Sequence, residues 1–464
     1  MIGRSFEQQE LRRIYNSSES EFVMIYGRRR VGKTFMIRDF FSEKFTFSCT
    51  GIAKGDRTEQ LANFRAELAR KNDSAFPTLS NWMDAFAALR ALVEKSREKR
   101  KVIFLDEVPW MYTQKSDFLK ALEHFWNSFA TTRKDIVLVV CGSASSWMVK
   151  KMSKDRGGLH NRITLPLKLQ PFTLKETREY LLSRNIRWDD KTIAECYMSL
   201  GGIPYYLKML DKGYSLAQNI DRMFFSKTAL LKDEFPNLYA SLFRDSRQYI
   251  KIVEILAKKK VGYTRDEIVQ KCKFKDGGSI SEKLDDLEEC GFIRSYTSRG
   301  KVGTLYRLSD FFTLFHFQFL KKGSFGDEDY WMHMQGTPSY NSWKGLSFER
   351  LCFAHLQQIK HALGVDGILT KAFAYHSDDT QIDMILERGD RNVNILEMKY
   401  CDGPYTITAA EAAKLKNRRQ TVSRLYKKRM AFSTVLVSTE GVTQNQFASE
   451  LIQRTILINE LFNL

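Results

Sequence analysis

The 464-residue chain contains no run of eighteen or more apolar residues, and its first residues, Met1-Ile2-Gly3-Arg4-Ser5-Phe6-Glu7, hold no apolar signal core. Neither a membrane-spanning helix nor a secretory leader is therefore expected, and the chain reads as cytoplasmic with no membrane partner. Cysteine is sparse, seven in all, an odd number without a CxxC pair. That pattern indicates neither a disulfide framework nor a zinc site and leads to the expectation of buried free thiols. Acidic residues are also short, 55 against 73 Lys and Arg, for a net charge of +18. A polyanionic partner is one reading of the excess, and a basic but merely soluble surface is the other.

The most informative stretch that is present runs from Phe22 to Thr34. Phe22-Val23-Met24-Ile25-Tyr26 has the composition of a buried strand, and Gly27-Arg28-Arg29-Arg30-Val31-Gly32-Lys33-Thr34 fits GxxxxGK[ST], a Walker A motif that cradles phosphates. Gly27 and Gly32 permit the backbone to turn its N–H groups toward phosphate oxygens, and the helix opening at Lys33 adds the positive end of its dipole. Lys33 would reach the β- and γ-phosphates of ATP, and Thr34 would hold Mg²⁺. Arg28, Arg29, Arg30 and Val31 fill the variable loop positions. The arginine side chains are expected to point away from the phosphates and to pair with neighbouring elements.

Lys101-Val102-Ile103-Phe104-Leu105-Asp106-Glu107 is a second apolar strand, ending in two carboxylates. In a parallel sheet both would reach the carboxyl edge, where ligands bind. Asp106 would fix the Mg²⁺ shell and Glu107 would polarise the attacking water. A third strand, from Ile136 to Cys141, ends at Gly142-Ser143, where Ser143 serves either as a polar sensor of the γ-phosphate or as a helix N-cap. Helices are predicted near residues 6–15, 57–70 and 81–95, and a β-run at 45–49.

These blocks resemble the archaeal-type ATPase family of the AAA+/STAND group of P-loop NTPases over residues 1 to about 245. The resemblance rests on Phe6…Glu10-Leu11, GRRRVGKT, FLDEVPWM at 104–111, CGSASSWM at 141–148, Gly158-Leu159-His160-Asn161-Arg162 and Gly201-Gly202-Ile203-Pro204. It implies a nucleotide-sensing role for Arg162, which could equally be a surface arginine, and places Gly202 and Pro204 in a helical lid near the base.

Residues 246–320 follow the order of a winged helix: amphipathic helices near 250–257 and from Thr264, with a Thr264/Glu267 capping box, and a third that Ser279 would cap. Two alternating strands then flank the basic turn Ser298-Arg299-Gly300-Lys301. The third helix carries Glu282, Asp285, Asp286, Glu288 and Glu289 against Lys283, a poor face to offer to phosphates. Packing or protein contact is thus favoured over DNA reading, with the wing keeping the latter open.

Beyond the linker candidate at 321–344, a helix begins near Gly345, and the runs 381–387 and 393–400 read as a hairpin turning at Arg388-Gly389-Asp390. Period two puts Glu397 and Lys399 on one face, with Asp383 on the neighbouring strand. Two carboxylates would bind Mg²⁺, and the lysine would position water at a scissile phosphate. With Glu349 on the leading helix, the set resembles the PD-(D/E)xK nuclease superfamily, although Ile382 stands where that motif usually has proline. A basic helix predicted over 409–429, carrying Lys414, Lys416, Arg418, Arg419, Arg424, Lys427, Lys428 and Arg429, suits backbone tracking along DNA or forms a solvated face.

The expected architecture is α/β: a P-loop ATPase core at 1–170, a helical lid at 171–245, a winged-helix-like domain at 246–320, a linker at 321–344 and a restriction-endonuclease-like domain at 345–464. The expected activity is Mg²⁺-dependent ATP hydrolysis coupled to a DNA-acting domain. A DNA-binding factor that does not cut, a STAND-type signalling switch and a ring-forming remodeller are the alternatives. An oligomer is compatible with the sequence, but nothing in it specifies one.

Overall fold

Apolar runs without alternation become buried parallel strands in the computed structural model, which describes residues 1–72, 78–113, 116–153, 159, 161–243, 245–297, 304–323, 327–376 and 380–464. The strands β1 (Glu21–Tyr26), β2 (Phe47–Thr50), β3 (Lys101–Asp106), β4 (Ile136–Gly142) and β5 (Leu165–Lys168) form one sheet in the order β2-β3-β4-β1-β5. Every pairing is parallel. β3 and β4 are buried at each residue, as a strand covered on both faces must be. The helices Arg57–Asn72, Trp82–Lys95 and Phe118–Ser128 supply one covering layer, joined by ring contacts among Phe64, Trp82, Phe86, Phe118 and Phe125. The first compact unit, Met1–Pro171, ends just after β5.

The second unit, Phe172–Leu464, opens with helices. Thr173 and Glu176 form a capping box on Leu174–Ser183, and Asp189 caps Asp190–Leu200. Gly201 then ends that helix in the left-handed region at φ 76°. Next come Ser246–Ala257, Arg265–Cys272 and Gly278–Glu289 with a small sheet of β6 (Tyr263–Thr264), β7 (Ile293–Thr297) and β8 (Thr304–Leu308), ordered β6-β8-β7. The Thr264/Glu267 capping box is present. Ser279, however, lies inside its helix, which starts at Gly278 after Gly277 without a side-chain cap. The basic turn with Arg299 and Lys301 lies outside the described residues. Part of the acidic helix face is used locally: the Tyr249 hydroxyl donates to Asp286 at 2.7 Å, and Glu288 accepts from the Ser295 amide at 2.7 Å.

The stretch read as a linker is structured and docked. Tyr330–Met334 is a helix, and the helix expected from Gly345 already begins at Pro338, capped by Thr337, and runs to Ala354. Trp331 and Trp343 are buried and pack with Phe315 and Phe319, and buried Tyr340 packs on both tryptophans, so apolar burial overrides the glycines and proline that suggested a connector. Asp221, 4% exposed, anchors it by accepting from the amides of Trp331 at 2.6 Å and Met332 at 3.0 Å.

The last sheet is mixed. β9 (Thr370–His376), β10 (Gln381–Arg388), β11 (Asn392–Lys399), β12 (Ala431–Ser438) and β13 (Arg454–Leu457) lie in the order β13-β12-β11-β10-β9. β9, β10 and β11 pair antiparallel, and β11, β12 and β13 parallel. The crossover from β11 to β12 is the basic helix, which spans Ala409–Arg424 and stops before Lys427, Lys428 and Arg429. Among the described residues no helix is long and apolar enough to cross a membrane.

Burial pushes the Asp221 carboxyl up to about 6, against the two amide bonds that favour its charged form. A raised native value means that its stabilising share is complete below the unfolded value near 4 and is lost as pH rises through 6. Asp221→Ala should flatten the pH dependence of stability across that window. It should also cost about 1–3 kcal/mol by stranding the amides, as urea unfolding at a series of pH values would measure.

Candidate functional site

The carboxyl ends of β1, β3 and β4 bring the first site together. Gly27 follows β1 at φ 146°, and a Cβ there would stand 2.3 Å from the Leu169 carbonyl oxygen, so only glycine lets the loop leave the strand beside that backbone. Gly32, at φ 92°, has nothing within 4 Å of the same position, so it is required by conformation alone. Arg4, 4% exposed, donates to the Val31 carbonyl at 3.2 Å and braces the loop from outside. Nothing local in the sequence marks that arginine as a loop contact.

The Lys33 ammonium, 5% exposed, donates to the carbonyls of Gly27 and Arg28, both at 2.9 Å, and to the Ser143 hydroxyl at 3.1 Å. All three of these oxygens are neutral, so the positive charge stays directed into the loop. Ser143 in turn donates to Glu107 Oε1 at 2.6 Å, and its amide donates to Oε2 at 3.2 Å. A hydroxyl has one proton and two lone pairs, and this one uses both functions at once. Of the two readings of Ser143, the N-cap is the one that fails: the following helix starts after Ala144 and has no side-chain cap. Beside this chain, Thr34 donates to Asp106 Oδ2 at 2.8 Å, while Asp106 Oδ1 accepts from the Glu107 amide at 3.0 Å. Glu107 sits in the left-handed region at φ 48°, which turns its side chain from the strand line toward Ser143.

Of the loop arginines, Arg28 is buried, whereas Arg29 and Arg30 are partly exposed, with Arg30 at φ 73°. Arg162 is exposed in the turn before β5. Its motif neighbours Gly158 and His160 lie outside the described residues. Gly202 and Pro204 belong to the second unit. There a Cβ on Gly202 would meet the Phe172 carbonyl oxygen at 2.4 Å, and Pro204 begins a one-turn helix.

A second constellation forms where the Pro338–Ala354 helix crosses β10 and β11. The Asp383 carboxylate accepts from the Met398 amide at 3.2 Å, and Lys399 pairs with Glu397 at 2.8 Å. Glu349, Asp383, Glu397 and Lys399 thus share one neighbourhood. Side-chain cations answer these carboxylates in this arrangement, and among the described residues no group of three His, Cys, Asp or Glu side chains is placed to hold a metal ion. Arg418, read above as a DNA contact, pairs with Glu397, and Lys416 pairs with Glu450 at 2.8 Å. Lys260, from the middle segment, contacts Glu349 at 2.5 Å and Asp383 at 3.6 Å. Sequence reading missed Lys260, because a lysine 89 residues from its partner carries no local signal.

Burial and the Asp383 charge push the Glu349 carboxyl up to about 7 even beside Lys260. Asp383 is also raised, by burial and by Glu397. Burial works against the Lys399 ammonium, but Glu397 outweighs it, and the net shift is upward.

Residues 2–210 match the family described as an ATPase domain predominantly from Archaea. An uncharacterised protein of Methanocaldococcus jannaschii is 24% identical over 416 residues, 86% of this chain and 88% of that one. An uncharacterised ATP-binding protein of the same organism is 40% identical over 43 residues, 9% of this chain and 73% of that one. Among solved structures, the Walker-type ATPase of Pyrococcus abyssi superposes with a TM-score of 0.51 at 17% identity, over 68% of this chain and 96% of that chain. At that identity the likeness is one of fold.

The two loop glycines should separate in a substitution experiment. Gly32→Ala is expected to cost about 1–2 kcal/mol, the strain of a left-handed alanine. Gly27→Ala should cost about 3 kcal/mol or more, because the Leu169 carbonyl must also move. Thermal unfolding of both variants makes the comparison, and equal losses would mean that the Leu169 backbone yields freely.

Proposed function

We propose, from the match of residues 2–210 to an ATPase domain predominantly from Archaea, the following division of labour for the hydrolysis of ATP. The loop amides between Gly27 and Thr34 take the phosphates, and Lys33 moves from the loop carbonyls to the β- and γ-phosphate oxygens. The Thr34 hydroxyl and Asp106 carboxylate are adjacent oxygen donors at the sheet edge, a set that fits Mg²⁺ and that would hold it. Mg²⁺ there supplies neutralisation of phosphate charge. Glu107 orients and polarises the attacking water once Ser143 gives up its bond to the carboxylate, and Ser143 then reports on the γ-phosphate. Arg162 senses the nucleotide. The observation that carries this reading is the hydrogen-bonded chain from Lys33 through Ser143 to Glu107.

The second unit is the acting part of the protein in this proposal. Its carboxylate and lysine cluster on β10 and β11, next to a helix with exposed Lys414, Arg419 and Arg424, favours a nuclease-like domain that works on DNA. ATP hydrolysis would then be coupled to engagement of that substrate. Glu349, Asp383 and Glu397 are the carboxylates of that site, and in this arrangement each is paired with a side-chain cation.

Lys33→Ala should abolish ATP hydrolysis. Glu107→Gln should retain nucleotide binding and lower kcat by about 10²–10⁴-fold, measured as phosphate release beside binding of a fluorescent ATP analogue. Equal loss of binding and turnover in Glu107→Gln would remove the glutamate from the water-orienting role. For the second unit, Lys414→Glu with Arg419→Glu should weaken binding of duplex DNA uniformly across sequences and reduce its salt dependence, with each lost phosphate contact lowering the log–log slope by about 0.9. An unchanged slope would assign the basic helix to the solvent.

A further inference from the structure

The carboxylates of the second unit are matched in charge by cations from three different elements. Lys399 comes from β11 itself and Arg418 from the adjoining helix, and both pair with Glu397. Lys260 is different in origin, because it comes from the segment between the Ser246–Ala257 helix and β6. It reaches Glu349 at 2.5 Å and Asp383 at 3.6 Å, and so bridges two carboxylates that otherwise repel each other.

The turn that delivers Lys260 is itself held in place. Gly262 has φ 81°, and a Cβ there would stand 2.1 Å from the Tyr306 carbonyl oxygen of β8, so the turn lies flush against that strand. The Tyr296 hydroxyl donates to the Val261 carbonyl, and the Gly262 amide to Lys259. From β8 the half-buried Arg307 places its guanidinium 3.9 Å from the centre of the Phe353 ring, on the same helix as Glu349. The middle module therefore grips the helix at one point and inserts an ammonium between two of its neighbour's carboxylates at another.

A partly buried ion pair of this kind is weak evidence for a stabilising role, since burying charge costs nearly what the pairing returns. Its position suggests a different use: the Lys260 ammonium stands between Glu349 and Asp383, the place that a cation bridging the two carboxylates would take. We propose that Lys260 is an intramolecular latch: its ammonium occupies the bridging place between Glu349 and Asp383, excludes a divalent cation from that pair, and must be withdrawn with the middle module before the pair can bind one. This deepens, and rests on, the reading of the second unit as a nuclease-like domain. It explains why residues of the right types are together without forming a metal group, and it assigns to the middle module the control of the site.

The test is direct binding of Mn²⁺ to the full-length protein, followed by electron paramagnetic resonance at pH 8. Lys33→Ala is present throughout, to lower the contribution of the nucleotide site. On that background Lys260→Ala should bind one additional Mn²⁺ at least about tenfold more tightly than the parent, a gain of about 1.4 kcal/mol. Asp383→Ala should cancel the gain. Lys260→Arg should behave as the parent because the cation is retained, and Lys258→Ala, which removes an exposed neighbour, should do the same. Unfolding curves confirm that each variant is folded, and Lys260→Gln replaces Lys260→Ala if that variant is not. Unchanged Mn²⁺ affinity in a folded Lys260→Ala or Lys260→Gln protein, or a gain that survives Asp383→Ala, overturns the latch. Incubation of the same variants with plasmid DNA separates the two ideas. An Asp383-dependent gain in Mn²⁺ binding without cleavage leaves the latch standing and removes the nuclease activity, whereas cleavage by the parent at the same rate as Lys260→Ala removes the latch and keeps the activity.

Discussion

All five strands of the first sheet run in one direction, and that single constraint places the chemistry. In a parallel sheet every carboxyl end opens on the same edge, so residues separated by more than a hundred positions arrive side by side. Lys33 after β1, Asp106 and Glu107 after β3 and Ser143 after β4 meet there for that reason. The serine hydroxyl does the joining, since it accepts from the lysine and donates to the glutamate. Neither charged group then needs a partner of opposite charge, and both remain available for a nucleotide.

Charge is handled in the opposite way in the second unit. There the carboxylates of Glu349, Asp383 and Glu397 are largely buried, and burial without compensation would force them to take up protons. Lysine and arginine side chains from β11, the neighbouring helix and the middle module supply the compensation. Glu349 still sits near 7, which shows how incomplete that compensation is. A site balanced this finely responds strongly to the loss of one cation. The dependence of the cluster on Lys260 links a module with the order of a winged helix to a sheet that carries the reactive types of residue.

The docked segment before the Pro338–Ala354 helix belongs to the same logic. Asp221 accepts from the Trp331 and Met332 amides, and the aromatic cluster around Trp331 and Trp343 buries what glycine and proline spacing suggested was a tether. The helices after Phe172, the middle segment and the mixed sheet belong to one compact unit, Phe172–Leu464. Local composition is a poor guide in such a segment, because tryptophan burial outweighs the turn preference of a few residues.

The sequence by itself determined the phosphate loop, the strand tipped by Asp106 and Glu107 and the hairpin that carries Asp383 and Glu397, because each is a contiguous run whose period and end residues state its role. It determined the capping box at Thr264 as well, since the two partners lie three positions apart. It left the role of Ser143 open between two readings, and only the placement of β4 beside β1 and β3 decided for the lysine and glutamate contact. Tertiary structure alone decided that Arg4 braces the loop, that Arg418 serves Glu397, and that Lys260 stands between Glu349 and Asp383. The reason is physical: periodicity records which face of an element is apolar, but the partner of a buried charge is chosen by which distant element happens to pack within a few ångströms of it.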